Sequence, residues 1–251
     1  MKICVLASGS KGNCTYVETK HTRSLIDLGM SNLYIEKKLI SLNIDPDTID
    51  NIFITHTHID HIAGLKVFIK KHNPKVFLTN KMYDELKETV DFKDYEIIED
   101  KILLDDLIVD YFKTSHDTSD SLGYIFISGD KSCVYVTDTG YINSKNFQKI
   151  SNKNVYIFES NHDVEKLMKN NNYPYHTKQR ILGDKGHLSN EQSSDYLKKI
   201  VGNITQNIIL AHLSEQNNDP EIAYNTLRNK LDSNINIIIA KQDEKTEVVE
   251  V

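Results

Sequence analysis

The sequence predicts an α/β protein in which two β-sheets pack face to face, with helices on their outer surfaces. Three observations lead to this prediction. Short strand-like segments begin each half of the chain, helical segments follow them, and polar or glycine-bearing turns separate the elements. Strand-rich halves that each carry helices are typical of layered α/β folds. We find no repeat or dividing linker, so we expect a single domain over residues 1–251.

The first half of the chain begins as a β-meander and continues as alternating strands and helices. Runs of β-branched and other apolar residues bounded by turns predict strands at 2–6, 14–19, 23–27, 51–55 and 75–79. We expect a helix capped by Ser31 that runs through Leu42, a second from about Asp60 to His72, and a short third opened by Asn80.

The second half repeats this order. Strands are predicted at 107–114, 122–128, 132–137, 154–159, 207–211 and 235–240. Helices are expected after Ser189, which begins a possible capping box, and after Asp219, which precedes a proline. The polar segment "KNNNYPYH" at 169–176 is interpreted as a surface loop.

Composition limits the class of protein. The chain is 39% hydrophobic and 26% charged, and no apolar run approaches the roughly 20 residues of a membrane span, so we expect a soluble cytoplasmic protein without membrane contact. The net charge of −6 argues against a nucleic-acid coating protein. It does not argue against an enzyme whose positive field comes from bound metal. The three cysteines, Cys4, Cys14 and Cys133, lack the spacing of a thiolate metal site and are interpreted as reduced core residues.

The segment "THTHIDH" at 55–61 carries the clearest chemical signal. Residues two apart in an extended chain point to the same side, so His56 and His58 are expected to direct their imidazoles at one point. Asp60 and His61 lie where the next helix begins and approach from another direction. Burying these groups together without a cation would leave polar atoms unpaired at about 1–3 kcal/mol each. The cluster therefore predicts a metal site.

Further histidine and aspartate residues follow other predicted strands, namely His116, Asp138 and His212. A mixture of imidazole and carboxylate ligands suits zinc, manganese or iron. We expect two divalent ions, with His56, His58 and His116 on one, Asp60, His61 and His212 on the other, and Asp138 shared. Such a pair activates a water and holds both oxygens of an in-line displacement, so hydrolysis of an anionic ester is the expected reaction.

These residues, in this order, resemble the metallo-β-lactamase superfamily, and the resemblance spans the chain from "SLIDLG" to "LAHLS". It implies the αββα four-layer sandwich of that superfamily, with a two-metal site along one edge. His61 argues against the antibiotic-hydrolysing members, which usually lack it. The 73 residues between Asp138 and His212 are too few for the large domain inserted in β-CASP nucleases. The motifs "LASGSKGNC", "VTDTGY", "ESNHD", "QRILGDKGHLSN" and "LAHLSEQNN" are similar to the YycJ/WalJ (VicX) group.

The resemblance also implies roles for other residues. Asp27 is expected to orient the metal ligands without binding metal itself. Asp60 is expected to orient the attacking water as well as bind metal. His187, oriented by Glu159, is expected to contact the scissile phosphate or to protonate the leaving oxygen. His162 and Arg180 are candidates for gripping phosphates. The group is associated with 5′-to-3′ exonuclease activity on DNA and with mismatch repair, so DNA is the expected substrate, with RNA as a second candidate.

Three alternatives stay open at this point. The same site could hydrolyse a small cyclic phosphodiester or a thioester, or the chain could be a binding protein with a vestigial site. Lysine-bearing helical faces, with Lys66, Lys70 and Lys71 or Lys166 and Lys169, could form a nucleic-acid track or be ordinary solvated surface. The segment "SGSKGN" is interpreted as a plain turn, although its glycines could bring backbone amides near the site.

Overall fold

Two seven-stranded β-sheets form the centre of the protein in the computed structural model, which describes residues 1–231 and 234–251. The strands are β1 (Lys2–Ala7), β2 (Cys14–Glu18), β3 (Arg23–Ile26), β4 (Asn51–Phe53), β5 (Lys75–Leu78), β6 (Tyr95–Ile97), β7 (Ile102–Leu103), β8 (Ile108–Lys113), β9 (Leu122–Ser128), β10 (Lys131–Val136), β11 (Val155–Glu159), β12 (Asn207–Ala211), β13 (Asn236–Ile239) and β14 (Val249–Glu250). The helices are α1 (Asn32–Ile40), α2 (Ile59–Ile62), α3 (Leu65–His72), α4 (Asn80–Leu86), α5 (Phe147–Ile150), α6 (Val164–Lys169), α7 (Tyr175–Leu182), α8 (Asn190–Ile200) and α9 (Pro220–Arg228).

The two sheets have the same internal organisation. The first has the strand order β14-β1-β2-β3-β4-β5-β6, and the second has the order β13-β12-β11-β10-β9-β8-β7. In the first sheet β3, β4, β5 and β6 run parallel, and in the second β10, β11, β12 and β13 do so. Because parallel strands end at the same edge of a sheet, residues that follow β3 and β4, or β10, β11 and β12, are brought close together.

Aromatic side chains fill the space between the sheets. The ring of Phe53 in β4 stacks on that of Phe77 in β5, with ring centroids 4.9 Å apart. It also meets the second sheet edge-on, with centroids 5.3 Å from Phe126 and 5.6 Å from Tyr124. Such offset and edge-to-face pairs add to the hydrophobic burial. The sheets therefore pack face to face around a shared core.

Helices cover the sheets, which confirms the predicted four-layer α/β sandwich. Leu39 of α1 and Phe68 of α3 are fully buried in the core cluster that contains the first sheet. Leu197 of α8 and Leu227 of α9 are fully buried in a second cluster with residues of β11 and β12. Among the described residues, no helix combines the length and the apolar character that a membrane span requires.

Most predicted elements are present, and their caps are those expected. The side chain of Ser31 caps α1, Ser189 and Gln192 form a full capping box at α8, and Asp219 caps α9. The structure also contains elements that were not predicted: the short edge strands β6, β7 and β14 and the helices α5 and α7, whereas α6 is the helical face expected to carry Lys166 and Lys169. The predicted loop at 169–176 is correspondingly shorter, since α6 ends at Lys169 and α7 begins at Tyr175.

The single helix predicted from about Asp60 to His72 is wrong, because the chain breaks at Gly64 into α2 and α3. The amide of Gly64 donates a hydrogen bond to the carbonyl oxygen of Leu28 at 2.7 Å. A Cβ at this position would lie 2.3 Å from the carbonyl oxygen of Met30, which is too close for any side chain. Close packing on the segment after β3 therefore requires glycine here and separates the short helix that carries Asp60 and His61.

Candidate metal centre

A cluster of histidine and aspartate side chains lies at the edge where the parallel strands of both sheets end. It contains all seven ligands predicted from the sequence: His56, His58, Asp60, His61, His116, Asp138 and His212. Their donor atoms form groups within 4.8 Å of one another, among them His56, His58 and His116, and Asp60, His61 and His212. The structure thus brings the two predicted sets together as two adjacent groups.

Asp138 lies between the two groups. Its Oδ2 is 3.1 Å from Nε2 of His61, and its Oδ1 is 3.3 Å from Nε2 of His212. The same Oδ1 is 3.7 Å from Nε2 of His116, which belongs to the other group. A carboxylate in this position can contact two ions at once.

The buried polar atoms of the cluster fit a cation. Nε2 of His56 and Oδ2 of Asp138 are both buried and make no hydrogen bond within the described part of the chain. Each unpaired buried atom costs about 1–3 kcal/mol. A divalent cation would satisfy these atoms, and the imidazole and carboxylate donors suit zinc, manganese or iron.

Hydrogen bonds behind the cluster fix the orientation of His61. The Nδ1 of His61 donates to Oδ2 of Asp27 at 2.8 Å, and Asp27 also accepts the amide of Thr55 at 2.8 Å and its hydroxyl at 2.7 Å. Asp27 is fully buried. Because the Nδ1 proton is engaged, Nε2 of His61 is left to face the cluster. This is the supporting contact expected for Asp27.

Two other imidazoles are oriented in the same way. Nδ1 of His56 lies 3.1 Å from the hydroxyl of Thr55, which already donates to Asp27 and can therefore accept from His56. Nδ1 of His116 lies 3.3 Å from the carbonyl oxygen of Gly186. Both contacts leave Nε2 free to bind metal.

Electrostatics favour the protonation states that metal ligands need. Burial and the neighbouring His61 hold the pKa of His56 well below its usual range, so this ring is neutral. Burial alone would raise the pKa of Asp138, but His212 and His61 outweigh it and keep the carboxyl ionised. The pKa of His61 is raised well above its usual value by Asp138 and Asp27 in spite of burial. A positive charge is thus favoured at Nε2 of His61, where a metal ion can take the place of the proton.

Three residues of the site have left-handed backbone conformations. The φ angles are 58° for Asp27, 54° for Asp138 and 56° for His212. Each follows the end of a strand, respectively β3, β10 and β12. Non-glycine residues in this region cost about 1–3 kcal/mol each and cluster at functional sites. The sharp turn directs each side chain into the cluster instead of along the strand.

Asn13 supports the second group of ligands and was not predicted from the sequence. Its Oδ1 accepts from Nδ1 of His212 at 3.1 Å and from the amide of Gly9 at 2.9 Å. Its Nδ2 lies 3.0 Å from Nε2 of His61, and its backbone amide donates to the carbonyl oxygen of Asp60 at 2.8 Å. The interpretation of "SGSKGN" as a plain turn is therefore wrong, since this loop holds the second group through a side chain.

The glycines of this loop were the signal that could have identified it. Gly9 and Gly12 have φ angles of 144° and 159°. A Cβ on Gly12 would lie 2.6 Å from the carbonyl oxygen of Gly29, so the loop packs directly on the segment after β3. Ser8 at its start accepts the amide of His212 at 2.7 Å.

We expect Asn13→Ala to weaken metal binding at the second group about 10- to 100-fold, because His212 loses the acceptor that orients it. Metal analysis after dialysis should then give about one ion per chain where the unmodified protein gives two. Asn146→Ala is a matched control, since Asn146 is also buried but lies outside the cluster. Equal metal content in the two variants would show that Asn13 does not position the ligand.

The cluster opens into a polar cleft of about 270 Å³. Its lining residues are Ser10, His58, Asp60, His116, Asp117, Asp138, Arg180, Ile181, Lys185, Gly186, His187 and His212. Asp117 was not predicted. Its Oδ1 is 3.4 Å from Nε2 of His116, and its Oδ2 is 3.4 Å from Nη1 of Arg180. The predicted residue Arg180 thus lies at the cleft, with its side chain 70% exposed.

His187 and Glu159 form a pair beside the cluster. Nδ1 of His187 is 2.6 Å from Oε1 of Glu159, which is fully buried and accepts the amide of Thr139 through Oε2 at 2.9 Å. Burial opposes protonation of His187, but Glu159 and Asp138 outweigh it and raise its pKa to about 9. The ring also stacks on His212, with centroids 5.3 Å apart. These contacts hold a protonated imidazole at the cleft wall.

The structure contradicts the phosphate-binding role predicted for His162. Its side chain is fully buried and does not line the cleft. The segment is held by hydrogen bonds from Asn161 to Leu188 and from Asn190 to His162, both 2.9 Å long, which turn the ring inward. Burial lowers the pKa of His162 to about 4. A neutral, enclosed ring cannot grip a phosphate.

Some of the lysines considered for a nucleic-acid track form ion pairs with nearby glutamates. Nζ of Lys71 is 2.8 Å from Oε1 of Glu36, and Lys169 pairs with Glu165 one helical turn away. None of the five lysines considered for a nucleic-acid track lines the cleft. The cationic side chains at the cleft are instead Arg180 and Lys185.

Comparisons with known proteins agree with this geometry. Residues 7–157 match the family model described as the metallo-beta-lactamase superfamily. Exodeoxyribonuclease WalJ of Streptococcus pneumoniae is 37% identical over 237 residues, which cover 92% of this chain and 88% of that protein. Exodeoxyribonuclease YycJ of Bacillus anthracis is 34% identical over 224 residues, which cover 87% of this chain and 84% of that protein.

A solved structure shows the same fold. YhfI from Bacillus subtilis, described as a metallo-beta-lactamase fold protein, has a TM-score of 0.75 and 14% identity, and the match covers 98% of this chain and 99% of that chain. The similarity to the YycJ/WalJ group inferred from the motifs is confirmed. The chain therefore belongs to the metallo-beta-lactamase superfamily and is a metal-dependent hydrolase.

Proposed function

We propose that this protein is a two-metal phosphodiesterase that degrades DNA from an end, in the 5′-to-3′ direction that its resemblance to the YycJ/WalJ group implies. The observation that carries the proposal is the meeting of two ligand groups at Asp138, inside one cleft that also contains His187 paired with the carboxylate of Glu159. The names of the relatives, both called exodeoxyribonucleases, support DNA as the substrate. A role in DNA repair, activity on RNA and a cytoplasmic location remain predictions.

The residues proposed to hold the ions are those of the two groups. One ion, zinc or manganese with iron as a further candidate, would be held by His56, His58 and His116, and the other by Asp60, His61 and His212, with Asp138 between them. When bound, two such ions lower the pKa of a water to about 7 and polarise the phosphate. Four positive charges on the ions face three carboxylates at the cleft, those of Asp60, Asp117 and Asp138. Once the hydroxide formed from that water is counted, these charges balance, and the cationic side chains of Arg180 and Lys185 at the cleft supply the positive charge that attracts an anionic substrate.

Side chains at the cleft wall would orient the water, supply a proton and bind the phosphate. Asp60, which lines the cleft, would orient the attacking water. The ring of His187, held by Glu159, carries the proton that the leaving oxygen requires. Arg180 has a fork of donors that suits a phosphate, and it would exchange its contact with Asp117 for the substrate.

The size of the cleft favours a second candidate, the hydrolysis of a small phosphodiester or thioester. Its volume of about 270 Å³ lies just below the usual range for ligand pockets. The same ligand groups would serve this reaction. The choice between the two functions therefore depends on the size of the substrate that is cleaved.

The proposal is tested by assaying end-labelled oligonucleotides beside a panel of small phosphodiesters and thioesters, with Mn²⁺ or Zn²⁺ present. We expect stepwise shortening of the oligonucleotide from one end, and its loss in His58→Ala, because His58 is a proposed ligand. His21→Ala is the matched control, since His21 is an exposed histidine outside the cleft. Turnover of a small ester without shortening of any oligonucleotide would favour the second candidate and refute the first.

A further inference from the structure

A second, smaller depression is lined by residues next in sequence to those of the active-site cleft. It has a volume of about 170 Å³ and is lined by Lys113, Thr114, Ser115, Tyr141, Asn143 and Lys145. Ser115 borders this depression, and the next residue, His116, lines the larger cleft. Tyr141 follows the cleft residue Asp138 by three positions. The two depressions are thus bordered by adjoining parts of the same two segments.

Hydrogen bonds fix Tyr141 relative to the metal centre. The amide of Gly140 donates to the carbonyl oxygen of Ser115 at 2.9 Å, and the amide of Ser115 donates to Oγ1 of Thr139 at 3.1 Å. That hydroxyl in turn donates to the carbonyl oxygen of Tyr141 at 2.7 Å. A Cβ on Gly140 would lie 2.3 Å from the carbonyl oxygen of Asp184, so the loop also packs tightly on the segment that precedes His187. The backbone of Tyr141 is therefore fixed at the edge of the site.

The side chains of the depression have the chemistry that binds a nucleotide. The ring of Tyr141 is 40% exposed and makes no ring or cation contact within the described residues. Lys113 is engaged by Asp120, whereas Lys145 has no ion-pair partner in the part of the chain that the structure describes. An exposed aromatic face stacks on nucleobases, and an unpaired ammonium group binds a backbone phosphate.

We propose that this depression is a subsite for the nucleotide that flanks the scissile phosphate, with its base stacked on Tyr141 and a backbone phosphate against Lys145. The inference rests on the proposed function, because it assumes a phosphodiester in the larger cleft. It explains how a cleft of about 270 Å³ could serve a polymer. The part of the strand that does not fit the cleft would lie across this depression.

The test is the binding of a short fluorescent single-stranded oligonucleotide, measured by anisotropy in Tyr141→Ala and Tyr141→Phe. We expect the dissociation constant to rise about tenfold in Tyr141→Ala, since stacking on the ring is lost, and to stay within about twofold in Tyr141→Phe, which keeps an aromatic face. Tyr95→Ala is the control, because Tyr95 is 39% exposed but lies outside both depressions. Lys145→Gln should lower the slope of log affinity against log salt by about one.

Equal affinities in the unmodified protein, Tyr141→Ala and Tyr95→Ala would overturn the subsite. So would a loss of affinity in Tyr141→Phe as large as in Tyr141→Ala, because the ring face would then not be the feature recognised. Cleavage of the same oligonucleotide by the unmodified protein is scored separately. Binding that depends on the Tyr141 ring without any cleavage would support the subsite and refute the proposed nuclease.

Discussion

Replacing Asp138 by asparagine is expected to lower cleavage by at least about 1,000-fold and to reduce the bound metal to fewer than two ions per chain. The carboxylate lies between the two ligand groups, and its Oδ2 is a buried atom without a hydrogen bond within the described residues. Losing a shared ligand removes several kcal/mol of transition-state stabilisation, and about 4 kcal/mol corresponds to a factor of about 1,000. Metal analysis and cleavage of an end-labelled oligonucleotide measure the two effects.

The asparagine variant is chosen because it should fold. Asp138 has a φ angle of 54°, and asparagine tolerates this left-handed conformation better than most residues. Asp130→Asn, at an exposed hairpin position between β9 and β10, is the matched control and should keep full metal content and activity. A folded Asp138→Asn protein that retains two ions and normal cleavage would show that this carboxylate is not a ligand.

Replacing His187 by alanine is expected to lower cleavage of DNA about 100- to 10,000-fold while the metal content stays at two ions per chain. The ring is held by Glu159 and carries a proton at neutral pH, since its pKa is raised to about 9. General acid catalysis contributes a factor of this size. His176→Ala, at an exposed position in α7, is the control histidine.

A substrate whose leaving group needs no proton distinguishes proton donation by His187 from a structural role of that residue. A p-nitrophenolate leaves without needing a proton, so His187→Ala should lose far less activity on a p-nitrophenyl phosphodiester than on DNA. Asp138, Glu159, His187 and His212 also lie close enough to form a ligand group. A fall in metal content in His187→Ala, with equal losses on both substrates, would assign His187 to the metal instead of to the leaving oxygen.

Much of the fold and the metal cluster could be predicted from the sequence because both depend on local patterns. Apolar strands that end in histidine or aspartate predicted where His116, Asp138 and His212 would meet, since parallel strands share an edge. Capping residues such as Ser189 and Asp219 predicted where helices begin, because a cap contacts amides only two or three residues away. The helix break at Gly64 was missed because it depends on a distant contact with Met30.

The support of the cluster was less predictable because it depends on side-chain direction and on long-range contacts. Asn13 reaches His212 across 199 positions of the sequence, and the glycines of "SGSKGN" indicate a tightly packed loop but not which ligand it contacts. His162 follows a strand, as the ligands do, but its backbone pairing turns the ring into the core. The short edge strand β7 has two residues, too few for a periodicity to show.

We propose that the seven residues hold two ions that share Asp138. Anomalous diffraction from crystals grown with Mn²⁺ or Zn²⁺ tests it most directly. We predict two anomalous peaks about 3.5–4 Å apart. One should be contacted by His56, His58 and His116, the other by Asp60, His61 and His212, with the carboxylate of Asp138 touching both. A single peak at saturating metal, or a peak held by Glu159 and His187, would show that the seven residues do not form this two-ion site.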